Sequence, residues 1–121
     1  MGLAEAVAKV LERFSSVTFN GAPLRVSDDS AQVNPPCVWV PVPGLDFNFQ
    51  KGQMEATWSA YLVAPNNNTL SVSQTLSELL DAVSGLFPFT TATAHPLLLQ
   101  GGGQPHPSYQ LTWHSRIRIG A

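Results

Sequence analysis

Charge is scarce in this chain. Only 12% of its 121 residues are Asp, Glu, Lys or Arg, about half the share of an average globular domain. Much of the surface must therefore be neutral polar or apolar, and burial against copies of the chain or against other subunits is expected. Lys9, Lys51 and the four arginines are scattered, and the formal net charge is −2. With no basic stripe to displace counterions from phosphates, tight capture of nucleic acid is not expected, whereas passive proximity to DNA stays open. Cys37 is the only cysteine, which excludes an internal disulfide. Runs of the roughly 20 apolar residues needed to cross a bilayer are missing too.

The opening Met1-Gly2-Leu3-Ala4-Glu5 reads neither as a signal peptide nor, with Ala6 where Ser or Thr is needed, as a myristoylation signal. Asn67-Asn68-Thr69 fits a glycosylation acceptor, but without secretion it is a polar turn. The protein is therefore expected to be made and used in a reducing cytoplasm. A length of 121 residues suits one domain, residues 1–121, with a core that needs no metal or disulfide.

What is present is periodicity. Leu3, Ala6, Val7, Val10, Leu11 and Phe14 recur at helical spacing and predict an amphipathic helix over Gly2 to Phe14. Asn20-Gly21-Ala22-Pro23 reads as a break, Leu24-Arg25-Val26 as a short strand and Ser27 to Asn34 as a polar loop. Pro35-Pro36 leads into a strand, Cys37 to Val42, in which Val38, Val40 and Val42 share one face. Pro41 and Pro43 lie two apart, so their missing N–H groups interrupt pairing along one edge.

Gly44 to Gly52 reads as a connection. The strand Gln53 to Val63 then turns Met54, Ala56, Trp58, Ala60 and Leu62 to a core face. A second helix carries the stripe Val72, Leu76, Leu79, Leu80, Val83 and Leu86, with Ser71 and Gln74 or Thr75 and Glu78 as capping boxes. Gly85 and Pro88 mark its stop. Thr90 to Pro107 reads as a long irregular loop around Gly101-Gly102-Gly103. In the last strand Tyr109, Leu111, Trp113, Ile117 and Ile119 face the core, opposite Gln110, Thr112, His114, Arg116 and Arg118. Two helices and these strands define an α+β fold, a largely antiparallel sheet with both amphipathic helices on one face.

Sites of chemistry are hard to assemble from this pattern. His95, His106 and His114 lack the helical or compact spacing of metal ligands and read as solvated. The triple glycine has no Gly-Lys-Ser/Thr after it and reads as a loop rather than a phosphate cradle. Cys37 lies in an apolar strand, fit to pack rather than attack, and Asp28-Asp29 reads as a turn. Trp39, Trp58 and Trp113 could stack on a ligand, but the apolar neighbours of Trp58 and Trp113 argue for packing. Phe47 and Phe49, between Asp46 and Lys51, either pack in the core or form an apolar tip that docks on a partner. The reading is a non-enzyme without cofactor. Its candidate interface residues are Pro41, Pro43, Asp46, Phe47, Phe49, Lys51, Arg116 and Arg118.

The order of these elements resembles the tail terminator (tail completion) proteins of long-tailed bacteriophages. The features that match are the N-terminal helix, Pro35 to Pro43, the strand Gln53 to Val63 closing on Pro65, the leucine-rich helix Ser71 to Leu86, and Pro107-Ser108-Tyr109 entering the last strand. The resemblance implies a homohexameric ring in the head–tail neck of the virion, assembled in the host bacterial cytoplasm. Such a ring caps the tail tube protein, ends its polymerisation and meets the head-side connector (stopper), with DNA only passing through its lumen and no membrane partner. Two alternatives stay open. One is a head-completion (stopper) protein; the other is a small α+β ligand-binding domain or enzyme with its site under the loop of residues 90–107.

Overall fold

The computed structural model describes residues 2–29, 35–47, 53–65, 69–97 and 105–118. Helix α1 spans Leu3–Ser15, and it buries Ala6, Val7, Val10 and Phe14 while Glu5, Lys9, Glu12 and Arg13 stay exposed. That is the apolar stripe its spacing predicts. The Ser16 N–H donates to the Glu12 carbonyl and ends the helix.

The break predicted next is instead a built turn. Thr18–Phe19 (β1) pairs antiparallel with Ala22–Pro23 (β2), and between them Asn20 and Gly21 have φ of 54° and 80°. A two-residue loop with both residues left-handed follows the natural twist of a hairpin, and Asn-Gly is its preferred sequence.

The main sheet contains β3 (Val26–Ser27), β4 (Cys37–Trp39), β5 (Gly44–Asp46), β6 (Gln53–Val63), β7 (Thr91–Ala94) and β8 (Ser108–Arg118). Its order is β3-β4-β6-β8-β7, and β5 follows β4 along the same edge of β6. Every pairing is antiparallel except β3 with β4. Helix α2 spans Thr69–Val83, so Ser71 and Thr75 lie inside it rather than at a cap, and Gln74 Nε2 donates to Glu78 Oε1 at 3.2 Å. Ala56, Trp58, Ala60 and Leu62 of β6 and Leu111, Trp113 and Ile117 of β8 turn to one face, which α1 and α2 cover with Val10, Phe14, Leu79 and Val83. The protein is α+β, with its helices on one side of a largely antiparallel sheet.

Three expectations are corrected. First, the strand predicted over Cys37 to Val42 ends at Trp39, and Val42 is 70% exposed whereas Val38 and Val40 are buried. The reason is a count. Cys37, Val38 and Trp39 pair with Val63, Leu62 and Tyr61, and Gly44, Leu45 and Asp46 pair with Thr57, Ala56 and Glu55. Four residues, Val40 to Pro43, therefore lie opposite three, Trp58 to Ala60. One extra residue acts as a β-bulge does and moves the inward set from even to odd numbers. Pro43 is buried and Leu45 packs on the core. Pairing lapses at Pro41 and Pro43, where N–H groups are missing.

Second, Gly44 to Gly52 is not all connection, because Gly44–Asp46 is strand. Third, the described part of residues 90–107 is largely paired strand, because Thr91–Ala94 lies along Tyr109–Thr112. The β7–β8 register continues past Ala94 through the His95 N–H to the Ser108 carbonyl at 2.9 Å and the Leu97–His106 bridge, whose two bonds are 2.8 and 2.7 Å. The triple glycine lies outside the described residues.

Candidate functional site

Among the described residues no helix covers the second face of the sheet. Its side chains fall in cross-strand rows set by the register. Asp46, Glu55 and Arg116 form one row, and Gly44, Thr57 and His114 the next. Two carboxylates side by side repel, and Arg116 on the far side of Glu55 offsets this. Thr57 Oγ1 lies 3.3 Å from His114 Nδ1, and Gln110 Nε2 donates to Ser59 Oγ at 3.0 Å. The middle of this face is thus a band of short polar side chains tied to one another.

At the β4 end the same face turns apolar. Cys37, Val63 and Leu97 are buried together, with Trp39 and Tyr61 packed on them. The Trp39 and Tyr61 rings stack at 5.0 Å, and His95 meets Tyr61 edge-on at 5.4 Å. The Ser108 hydroxyl donates to the His95 carbonyl, which fastens the hairpin over this patch.

The edges of the sheet differ in how they are guarded. All four residues of β7, Thr91 to Ala94, are exposed and neutral, and β7 is the last strand of the sheet order. An uncharged exposed edge is a template for another strand. On the opposite flank the edge is broken at Val40 to Pro43, and Val42 and Phe47 are 70% and 72% exposed.

The residues singled out from the sequence divide accordingly. Pro41 is half-buried, Pro43 buried, and Asp46 and Phe47 exposed. Arg116 is exposed opposite Glu55, and Arg118 is the last residue of β8, opposite Gln53. Phe49 and Lys51 lie outside the described residues. The register thus brings Asp46 and Arg116 into one row through Glu55, which spacing in sequence had no means to show. His95 and His106 lie on the hairpin, while His114 lies in the polar band beside Thr57. Among the described residues no group of three or more His, Cys, Asp or Glu could hold a metal ion. None of their helices is long and apolar enough to cross a membrane.

Sequence reasoning missed the exposure of Val42 and the aromatic group Trp39, Tyr61 and His95. The odd-number parity of Trp39 and Tyr61, opposite to their buried neighbours, was the available signal for the second. Compared with models of known protein families, with curated proteins and with solved structures, the chain matches none.

Proposed function

We propose that this chain is a tail terminator of a long-tailed bacteriophage, a structural virion protein and not an enzyme. In this reading it forms a homohexameric ring in the neck, caps the tail tube, stops its growth and presents a surface to the head-side connector. The observation that carries the reading is the one-sided cover of the sheet. Both helices lie on one face, while among the described residues the polar face and the edge strand Thr91 to Ala94 carry no helix, and Val42 projects 70% exposed from the opposite flank. In a chain with 12% charged residues, open neutral edges suit permanent contact with other subunits.

The polar band of Thr57, Ser59, Gln110, Thr112 and His114 suits a different neighbour. It offers hydrogen bonds without a cluster of cations, so a DNA strand would pass such a surface without being gripped.

The test is genetic and visual. A phage that encodes this chain, with its gene disrupted, should make tails of uncontrolled length that fail to join heads, and the protein supplied in trans should restore them. Tails of normal length on full heads in its absence would refute the assignment.

A further inference from the structure

The free edge of β7 carries a hydrogen-bonding pattern that is complementary to itself. On the inner side, the His95 N–H donates to the Ser108 carbonyl, and Leu97 and His106 exchange both of their bonds. The register is unbroken from Leu97 back to Thr91. In an antiparallel ladder the bonds to one neighbour come from every second residue, so Thr91 and Thr93 also turn their N–H and C=O groups to β8. Ala92 and Ala94 turn theirs outward. Among the described residues no strand lies on that side, and residues 91–96 are all exposed.

This outward row is bounded at both ends. Pro96, the next outward position, has no N–H to give. At the other end Thr90 already donates its N–H to the Thr112 carbonyl at 2.7 Å. An incoming strand therefore finds complete donor and acceptor sets on Ala92 and Ala94 alone, with Thr93 midway between them.

Lay two such edges antiparallel with Thr93 facing Thr93. Ala92 of each copy then faces Ala94 of the other, and every free N–H meets a free carbonyl. Pro96, without a donor, faces Thr90, whose donor is in use. A shift by two residues breaks the match: one way the Ala94 carbonyl faces the engaged N–H of Thr90, the other way the Ala92 carbonyl faces Pro96. Charge does not oppose the pairing, because no Asp, Glu, Lys or Arg occurs between Asp81 and Arg116, and like charges across a ladder are what would repel two copies. Space is present as well. A hollow of about 340 Å³ lies between α2 and the strand at Thr90, Thr91 and Ala92, and the residue brought opposite Ala92 is Ala94, a single methyl.

We infer that β7 is the surface by which two copies of the free protein pair, edge to edge about a two-fold axis at Thr93, so that the sheet runs on from one copy into the other. Such an isologous contact closes at two copies. It is therefore distinct from any contact between neighbours in a ring, and it does not rest on the ring reading above.

The experiment uses the full chain, in sedimentation and native mass spectrometry over a concentration series and in oxidative crosslinking. Wild type should pass from monomer to dimer. Ala92→Pro removes only an outward donor, a change an edge strand tolerates; it should weaken the dimer about ten-fold or more and leave the thermal melt unchanged. Facing residues in a non-hydrogen-bonded antiparallel pair have Cα atoms about 4.5 Å apart, within the span of a disulfide. Thr93→Cys should therefore crosslink two copies under mild oxidation, whereas Thr91→Cys, which faces His95 of the other copy, should not. Cys37, 2% exposed, does not compete. A dimer that survives Ala92→Pro, a Thr91→Cys crosslink as fast as that of Thr93→Cys, or a chain monomeric at every concentration overturns the pairing. A hexamer in which Thr93→Cys fails to crosslink overturns it too and leaves the ring reading standing.

Discussion

Phe14 is the residue whose loss should be felt most widely. It is 0% exposed, on the last turn of α1, and its ring centre lies 5.5 Å from Phe87 and 6.1 Å from Trp113. It therefore joins three parts of the chain: α1, the segment after α2, and β8. Replacing it with Ala removes a buried ring and leaves a cavity, which costs ~3–5 kcal/mol in a well-packed core. Contact with two aromatic partners places the expected loss in the upper part of that range, about 4–5 kcal/mol.

A chain of 121 residues has a total stability of roughly 6–18 kcal/mol, so the loss is a large share. It should lower the melting temperature by about 12–25 °C. Urea unfolding followed by circular dichroism and by tryptophan fluorescence is a suitable assay, because Trp113 and Trp58 lie in the same cluster. The midpoint should fall with an unchanged slope. Phe14→Leu should recover most of the loss. Phe47→Ala, at a 72% exposed position, should stay within about 0.5 kcal/mol of wild type. A loss below ~2 kcal/mol for Phe14→Ala would refute the view that this ring holds the three elements together.

Two further substitutions probe other joints. Leu79→Asp places an unpaired charge at a 0% exposed position on α2; a cost of ~3–5 kcal/mol is expected, read as insolubility or loss of the cooperative transition in a thermal melt. Gly21→Ala meets no atom within 4 Å of the added carbon, yet φ is +80° there, so backbone strain alone should cost ~1 kcal/mol in urea titration.

How much of this was legible follows from how local each signal is. The helices and the two long strands announce themselves because one face of each is apolar, and Leu79, Trp58 and Trp113 are buried where the period puts them. The Asn20–Gly21 hairpin had a local signal that a breaker reading passed over. Strand β7 had none, since Thr91 to Ala94 are all exposed and a strand without a buried face has no alternation to read. Its identity comes from Ser108 to Thr112 across the ladder. Val42 was misplaced because parity within a strand is local, whereas an extra residue relative to a partner is visible only once the partner is known. Of the candidate interface residues, the exposure of Asp46 and Phe47 agrees with their place in a polar, aromatic connection. The row that joins Asp46 to Arg116 through Glu55 needed the register.

The segment from Val40 to Pro43 works as a counted spacer. The strands on either side of it are anchored independently to β6, so its length, more than its composition, decides which way the residues beyond it face. Removing or adding a single residue there would leave two choices: slip β5 along β6, or exchange the sides on which Leu45 and Asp46 project. An insertion of two residues keeps the parity and lengthens only the bend. Among descendants of this sequence, gaps in that stretch should therefore come in even numbers, a pattern that reads the fold without any coordinates.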